Sequence, residues 1–356
     1  MFINFKIKKN KFMERYKMKK ILSLLVAFMI IFTLPGCSSQ KSDNSSQQSD
    51  TTTSEKKSHY PVTITNYNAA GEEITLTFEK APERVLAVYQ GSIETMIALG
   101  LEDKVVASYG LDNAVKDEWK DGFSRMKYNK SVFAPDKESV VMLNPDFIFS
   151  WGSIFDQKML GDVDYWIGKG TNTYMNTNTR PNGSRVLENE YTDILNIGKI
   201  FNVEEKAEAL VKKMKEDVEK ANAASKKQEK APTVAVLGFY DKGIRNYGKE
   251  LAGDIASNLG LTVMDSSEKF MGKEDLIAAD PDVIFVEYMP RPEGGGDAIK
   301  DEEMKKLLND PSFASMKAVK NGRVYPIMLG EIYAPAVRTG DGIRTLANGA
   351  FPGLLN

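Results

Sequence analysis

The strongest constraint in this chain is a segment that occurs twice. Glu138-Ser-Val-Val-Met-Leu-Asn-Pro145-Asp146-Phe147-Ile148-Phe149 and Glu274-Asp-Leu-Ile-Ala-Ala-Asp-Pro281-Asp282-Val283-Ile284-Phe285 align without a gap at an offset of 136 residues. Each reads as a short helix, a Pro-Asp turn and a buried strand, because Pro closes the helical stretch and the apolar run after it has strand length. One such segment is common in α/β proteins. Two, each with its Glu seven residues ahead of the Pro, predict two related lobes.

Between the copies, residues 202–228 run without Gly or Pro. Val203, Ala207, Leu210, Val211, Met214, Val218 and Ala221 fall on one helical face, and Asn202 with Glu205 three positions later has the form of a capping box. A helix of about 26 residues would be about 39 Å long. An ordinary surface helix would show the same pattern, but its place between matching halves makes it a bridge. The expected organisation is an N-terminal lobe at 60–200, a bridging helix at 201–229 and a C-terminal lobe at 230–356.

The rest of the chain alternates in the same way. A hairpin at residues 62–65 and 74–78, turned at Ala70-Gly71, opens the folded part. A strand at 84–88 and a helix at 92–99 follow, with further strands expected at 105–107, 147–150, 233–237, 283–286 and 324–328. Alternating strands and helices give an α/β fold with parallel sheets covered on both faces.

Composition removes several chemistries. The chain has one His and one Cys, so neither a Ser-His or Cys-His site nor a His/Cys zinc site can be assembled within it. No catalytic residue, no metal site and no disulfide is expected. His59, in a Ser/Lys-rich stretch, is read as lying outside the fold. Residues 1–36 hold eight of the 47 Lys and Arg but one of the 49 Asp and Glu, leaving 39 against 48 in the remainder. That acidic remainder argues against nucleic acid as a partner.

The same leader argues for export. A Lys-rich segment ending at Lys19-Lys20 precedes an apolar run at 21–33, too short for a membrane span and suited to a signal peptide. Leu34-Pro35-Gly36-Cys37 resembles the bacterial lipobox, which implies Sec-dependent secretion, cleavage after residue 36 and acylation, including palmitate, at Cys37. Two acyl chains anchor firmly at about 0.8 kcal/mol per buried methylene. The Ser/Thr/Gln/Asn-rich stretch 37–59 reads as a flexible tether, and the long basic region leaves Met18 open as the true start.

Taken with Glu83-Arg84-Val85-Leu86-Ala87-Val88 and Asn321-Gly322-Arg323-Val324-Tyr325, these features make residues 60–356 resemble the substrate-binding lipoproteins of ABC importers for iron-siderophores, haem and cobalamin, the class III binding proteins. The resemblance implies two lobes joined by one long helix that permits only small closure. It also implies a monomer on the outer face of the cytoplasmic membrane, working with a permease and its ATPase. Glu138 and Glu274 occupy the positions whose carboxylates dock onto permease arginines in that family.

Ligands of open parallel sheets bind beyond the carboxyl ends of the strands. The residues there are Tyr89, Trp151, Arg245, Tyr247, Tyr288, Arg291, Tyr333 and Arg338, with Tyr240 also in place. Tyr174 and Arg180, from the irregular stretch 170–185 that ends at Arg185, are expected to overhang the same cleft. Rings beside guanidinium groups suit a flat or bulky anion. An iron-siderophore fits best and no resident cofactor is needed. Haem with a Tyr or Met axial ligand, or cobalamin, remains open. Other classes are a carboxylate-dependent hydrolase and a structural lipoprotein without a small ligand, but no paired carboxylates mark the cleft.

Overall fold

The computed structural model describes residues 58–265 and 268–355. The leader, Cys37 and all of the tether but Ser58 and His59 lie outside the described residues. An antiparallel hairpin of β1 (Val62–Tyr67) and β2 (Glu73–Phe78) comes first. Immediately before it, His59 is packed and not free: its ring meets Tyr60 edge-on at 4.5 Å, Nε2 donates to the Lys199 carbonyl at 2.8 Å, and Nδ1 lies 3.3 Å from Glu204. The reading of His59 as outside the fold is therefore corrected.

The first lobe is built on a parallel sheet of order β4-β3-β5-β6, from β3 (Val85–Val88), β4 (Val105–Tyr109), β5 (Phe147–Ser150) and β6 (Asn172–Met175). The second sheet runs β10-β8-β7-β11-β12, with β9 beside β7. Its strands are β7 (Thr233–Tyr240), β8 (Gly243–Asn246), β9 (Thr262–Val263), β10 (Phe270–Met271), β11 (Val283–Tyr288) and β12 (Val324–Met328). Here β7, β9, β11 and β12 are parallel, whereas β8 and β10 are antiparallel additions. β7 runs three residues beyond the expected strand and doubles back through Asp241-Lys242, with Gly243 at a φ of 121°. Only glycine adopts that angle without strain.

Six of the helices position the seam and the site: α1 (Gln90–Ala98), α2 (Lys137–Leu143), α3 (Leu187–Ile200), α4 (Glu204–Ser225), α5 (Lys273–Ala279) and α6 (Thr339–Ala350). α4 is the long helix, 22 residues and hence about 33 Å. It buries Ala207, Val211, Met214 and Ala221 and packs against α3 on one side and α6 on the other. Asn202 does not cap it. The N-cap is Val203, while Asn202 sits at φ 56°, the left-handed turn that ends α3 and lets Val203 N bond the Gly198 carbonyl at 2.8 Å.

The repeated segment is also repeated in three dimensions. α2 and α5 end on left-handed residues, Asn144 and Asp280. Two residues on, Asp146 accepts the amides of Glu83 and Arg84 at the start of β3, and Asp282 accepts the amide of Thr233 at the start of β7. The carboxylate of each Pro-Asp turn thus sets the register between adjacent parallel strands.

Two buried carboxylates close the seam between lobes. Glu94 on α1 receives Arg338 bidentately, Nε to Oε2 and Nη2 to Oε1 both at 2.5 Å, and Arg338 also donates to the Ala114 carbonyl at 2.7 Å. Both side chains are nearly inaccessible to solvent. Glu190 on α3 accepts the Ala336 amide at 2.6 Å and an Asn178 amide hydrogen at 2.6 Å. Burial, then the charge of Asp193, pushes its carboxyl up to about 8.

Removing one partner of a buried ion pair strands the other, at a cost of about 3–5 kcal/mol. Urea unfolding of Glu94→Ala should show a loss of that order, while Glu94→Leu with Arg338→Met should lie much nearer the parent. For Glu190, a carboxyl raised above its ordinary 4.5 stays protonated in the fold where the unfolded chain has lost its proton. Its contribution is complete below about pH 4.5 and is lost as pH rises through about 8. Melting temperatures measured from about pH 5 to 9 should therefore fall, and Glu190→Gln should flatten part of that fall.

Candidate functional site

The carboxyl ends of the strands carry a chain of aromatic rings across the seam. Tyr89 follows β3 directly and Trp151 follows β5, their ring centroids 4.5 Å apart. Trp151 stacks on Tyr333 of the other lobe at 5.8 Å and an interplanar angle of 22°. Tyr333 in turn meets Tyr247 edge-on at 6.5 Å. Phe133, half exposed, extends the first lobe's end at 6.1 Å from Tyr89.

The backbone around these rings is strained. Tyr89 sits at φ 86°, and Ala334 and Ala336, just past Tyr333, at 54° and 51°. Such angles in non-glycine residues each cost of order 1–3 kcal/mol and collect at functional sites. At Tyr89 the conformation turns the chain from β3 into α1 while the phenol donates to Asp112. Burial, then the Asp112 charge, pushes that phenol well above its usual value.

Two guanidinium groups lie on the rings. Arg185 stands 4.1 Å above Tyr333, and Arg245 lies 4.2 Å from Tyr247 and 5.5 Å from Tyr333. Both are held by one carboxylate: Glu250 accepts from Arg185 Nη1 at 2.9 Å and from Arg245 Nη2 at 2.6 Å. Arg245 Nε is buried with no partner. A cavity of about 470 Å³ runs beside the Arg185–Glu250 pair, bounded by 183–186 on one side and 248–257 on the other.

The structure therefore gathers Tyr89, Trp151, Arg245, Tyr247 and Tyr333. It places the other five expected members elsewhere. Tyr174 is fully buried on β6, its hydroxyl donating to Asp193 at 2.9 Å, because residues 172–175 form a buried strand at the sheet's edge in the stretch expected to be irregular. Arg338 is spent on Glu94 and the seam. Arg180 stacks on Tyr67 of the hairpin at 4.3 Å instead of joining the ring chain. Tyr288 is half buried near Glu331, and Arg291 is exposed on the following loop. Sequence reasoning missed Phe133, Glu250 and Asp112.

Glu138 and Glu274 are both exposed, each in the first turn of its helix, α2 and α5. They lie at the amino ends of those helices and not among the rings. Beside Glu138, Val141 and Met142 are exposed at 53% and 81%.

Comparison with known proteins places this geometry. A model of the family described as periplasmic binding protein matches residues 85–328. The chain is 26% identical over 344 residues to the ABC transporter substrate-binding lipoprotein YvrC of Bacillus subtilis strain 168, covering 94% of this chain and 98% of that protein. It is 24% identical over 317 residues to the petrobactin-binding protein YclQ of the same organism, covering 86% and 90%. The crystal structure of a periplasmic binding protein from Veillonella parvula DSM 2008 superposes with a TM-score of 0.76 at 32% identity, covering 83% of this chain and 92% of that one. The chain belongs to the periplasmic binding protein family, with the class III fold, and is a binding protein and not an enzyme.

Proposed function

We propose that this protein is the lipid-anchored receptor of an ABC importer that captures a ferric siderophore-type chelate in the seam and presents it to its permease and ATPase. The observation that carries this reading is the ring chain crossing the seam with Arg185 and Arg245 laid on it. Rings cover the apolar rim of a chelate, while guanidinium forks meet its anionic oxygens. The names of its relatives point the same way, since one binds petrobactin. Cys37, the proposed site of acylation, holds the protein at the outer face of the cytoplasmic membrane.

In this reading the long helix and the buried seam pairs keep lobe motion small. Glu138 and Glu274 then act as two fixed posts whose spacing matches paired arginines on the permease. Removing one partner of a desolvated interfacial pair costs about 2–5 kcal/mol.

Ferric siderophores should quench the fluorescence of Trp151, with Trp151→Phe as the control for the other two tryptophans. Arg245→Ala should weaken that binding by about 10- to 100-fold, as expected for loss of a charge-assisted hydrogen bond of about 1.5–3 kcal/mol. A screen in which only haem or cobalamin quenches would replace the siderophore. The double variant Glu138→Ala with Glu274→Ala should bind as the parent does yet support no uptake in cells; normal uptake would refute the docking role.

A further inference from the structure

Between α3, α4 and the helix Leu251–Asn258 lies a second cavity, of about 390 Å³. It adjoins the one beside Arg185 and Glu250, with which it shares Val186 and Asp254, but no member of the ring chain lines it. Tyr191 on α3 does line it, at 4% exposure, and its hydroxyl has no hydrogen-bond partner. Folded proteins leave few buried polar atoms in that state, because an unpaired one forfeits its hydration without compensation. A phenol hydroxyl can donate to a carboxylate and accept from a ligand's N–H.

Three carboxylates, Glu188, Glu219 and Asp254, share the lining with one ammonium, Lys215, which leaves a net charge of -2. Lys215 Nζ stands 4.0 Å from Glu188 Oε1 and 5.0 Å over the Tyr191 ring. The ring face therefore already accepts an ammonium. Asp254 takes the Leu187 amide at 2.7 Å and Asn258 Nδ2 at 3.2 Å. Among the described residues neither Asp254 nor Glu219 has an ion-pair partner. Burial, then the charges of Glu188 and Asp254, pushes the Tyr191 phenol well above its usual range, so both carboxylates bear on the hydroxyl.

Among the described residues no three carboxylates stand close enough to hold a metal ion. Negative charge spread along an apolar wall of Val186, Leu187 and Val218 suits an elongated organic cation instead. Its methylenes cover the wall, and its ammonium groups donate to the oxygens.

We infer that this cavity is an accessory site for an aliphatic diammonium ion, one ammonium held by Tyr191 and Asp254 and the other by Glu188 and Glu219 at the rim. The site is separate from the ring chain and does not depend on what the ring chain carries. Its occupant touches α3 of the first lobe and the helix Leu251–Asn258 of the second, and so reinforces the seam that the Asp254–Leu187 bond already ties.

Titration calorimetry of the intact protein with 1,5-diaminopentane should show one site per chain and a matching rise in melting temperature; 1,5-pentanediol, of equal length and no charge, should show neither. Tyr191→Phe, which removes the hydroxyl alone, should weaken diamine binding about 10-fold or more, the effect of losing a hydrogen bond to a charged group. Glu219→Gln should weaken it as well, and Lys215→Gln should tighten it by taking a like charge off the ring. Arg245→Ala, in the ring chain, should bind the diamine as the parent does. Should Tyr191→Phe unfold the chain, Glu219→Gln on the exposed rim decides. The site is overturned by the absence of both signals at millimolar diamine, by diol binding equal to that of the diamine, by unchanged affinity in a folded Tyr191→Phe or in Glu219→Gln, or by loss of binding in Arg245→Ala.

Discussion

The seam of this protein depends on one buried ion pair, Glu94 with Arg338. Its two residues are 244 positions apart in the chain and come from different lobes. A buried pair is weak evidence of stability, because desolvation offsets much of the Coulomb attraction. What it supplies here is position. The fork-to-fork geometry, the Gln90 amide on Glu94 and the Ala114 carbonyl on Arg338 satisfy the charged groups in one arrangement only. α1 begins at the strained Tyr89, and the loop to Arg338 begins at Tyr333, so the pair lies behind the two rings that flank Trp151.

Polar groups also tie the other seam contacts. Glu190 reaches from α3 to Ala336, Asp254 accepts the Leu187 amide at 2.7 Å, and Lys116 meets Asp341 at 2.8 Å. The first turn of α1 packs closely on the Ala334–Ala336 loop: a Cβ on Gly91 would meet Ala336 at 3.5 Å, ordinary van der Waals contact. The rings are thus held by groups that lie outside the ring chain. The strain at Tyr89, Ala334 and Ala336 is compatible with that arrangement because the surrounding bonds leave the loop no alternative.

Much of the architecture was legible because it is written in short-range patterns. The Pro-Asp repeats marked two equivalent strand starts, and the reason is now visible in Asp146 and Asp282, which bond the neighbouring strand's first amides. The Gly- and Pro-free run marked α4, although Asn202 serves the end of α3 and not the start of α4. Among the site residues, Tyr89, Trp151 and Tyr333 were found by their place after strands, a rule of topology. The same rule failed for Arg338, since it says where a side chain lies and not what it is bonded to.

By itself the sequence determined the α/β alternation, the duplicated lobes, the connecting helix and the exclusion of His- and Cys-based chemistry, because each follows from composition or from contacts within a dozen residues. Only the tertiary structure decided which arginines stay on the rings and which is consumed by the seam, and that Tyr174 is core. Those outcomes depend on partners such as Glu94, 244 residues from Arg338, and Asp193, 19 from Tyr174, whose distance along the chain carries no local signal, and on burial, which gives a charged or phenolic group its partner only once the chain has folded.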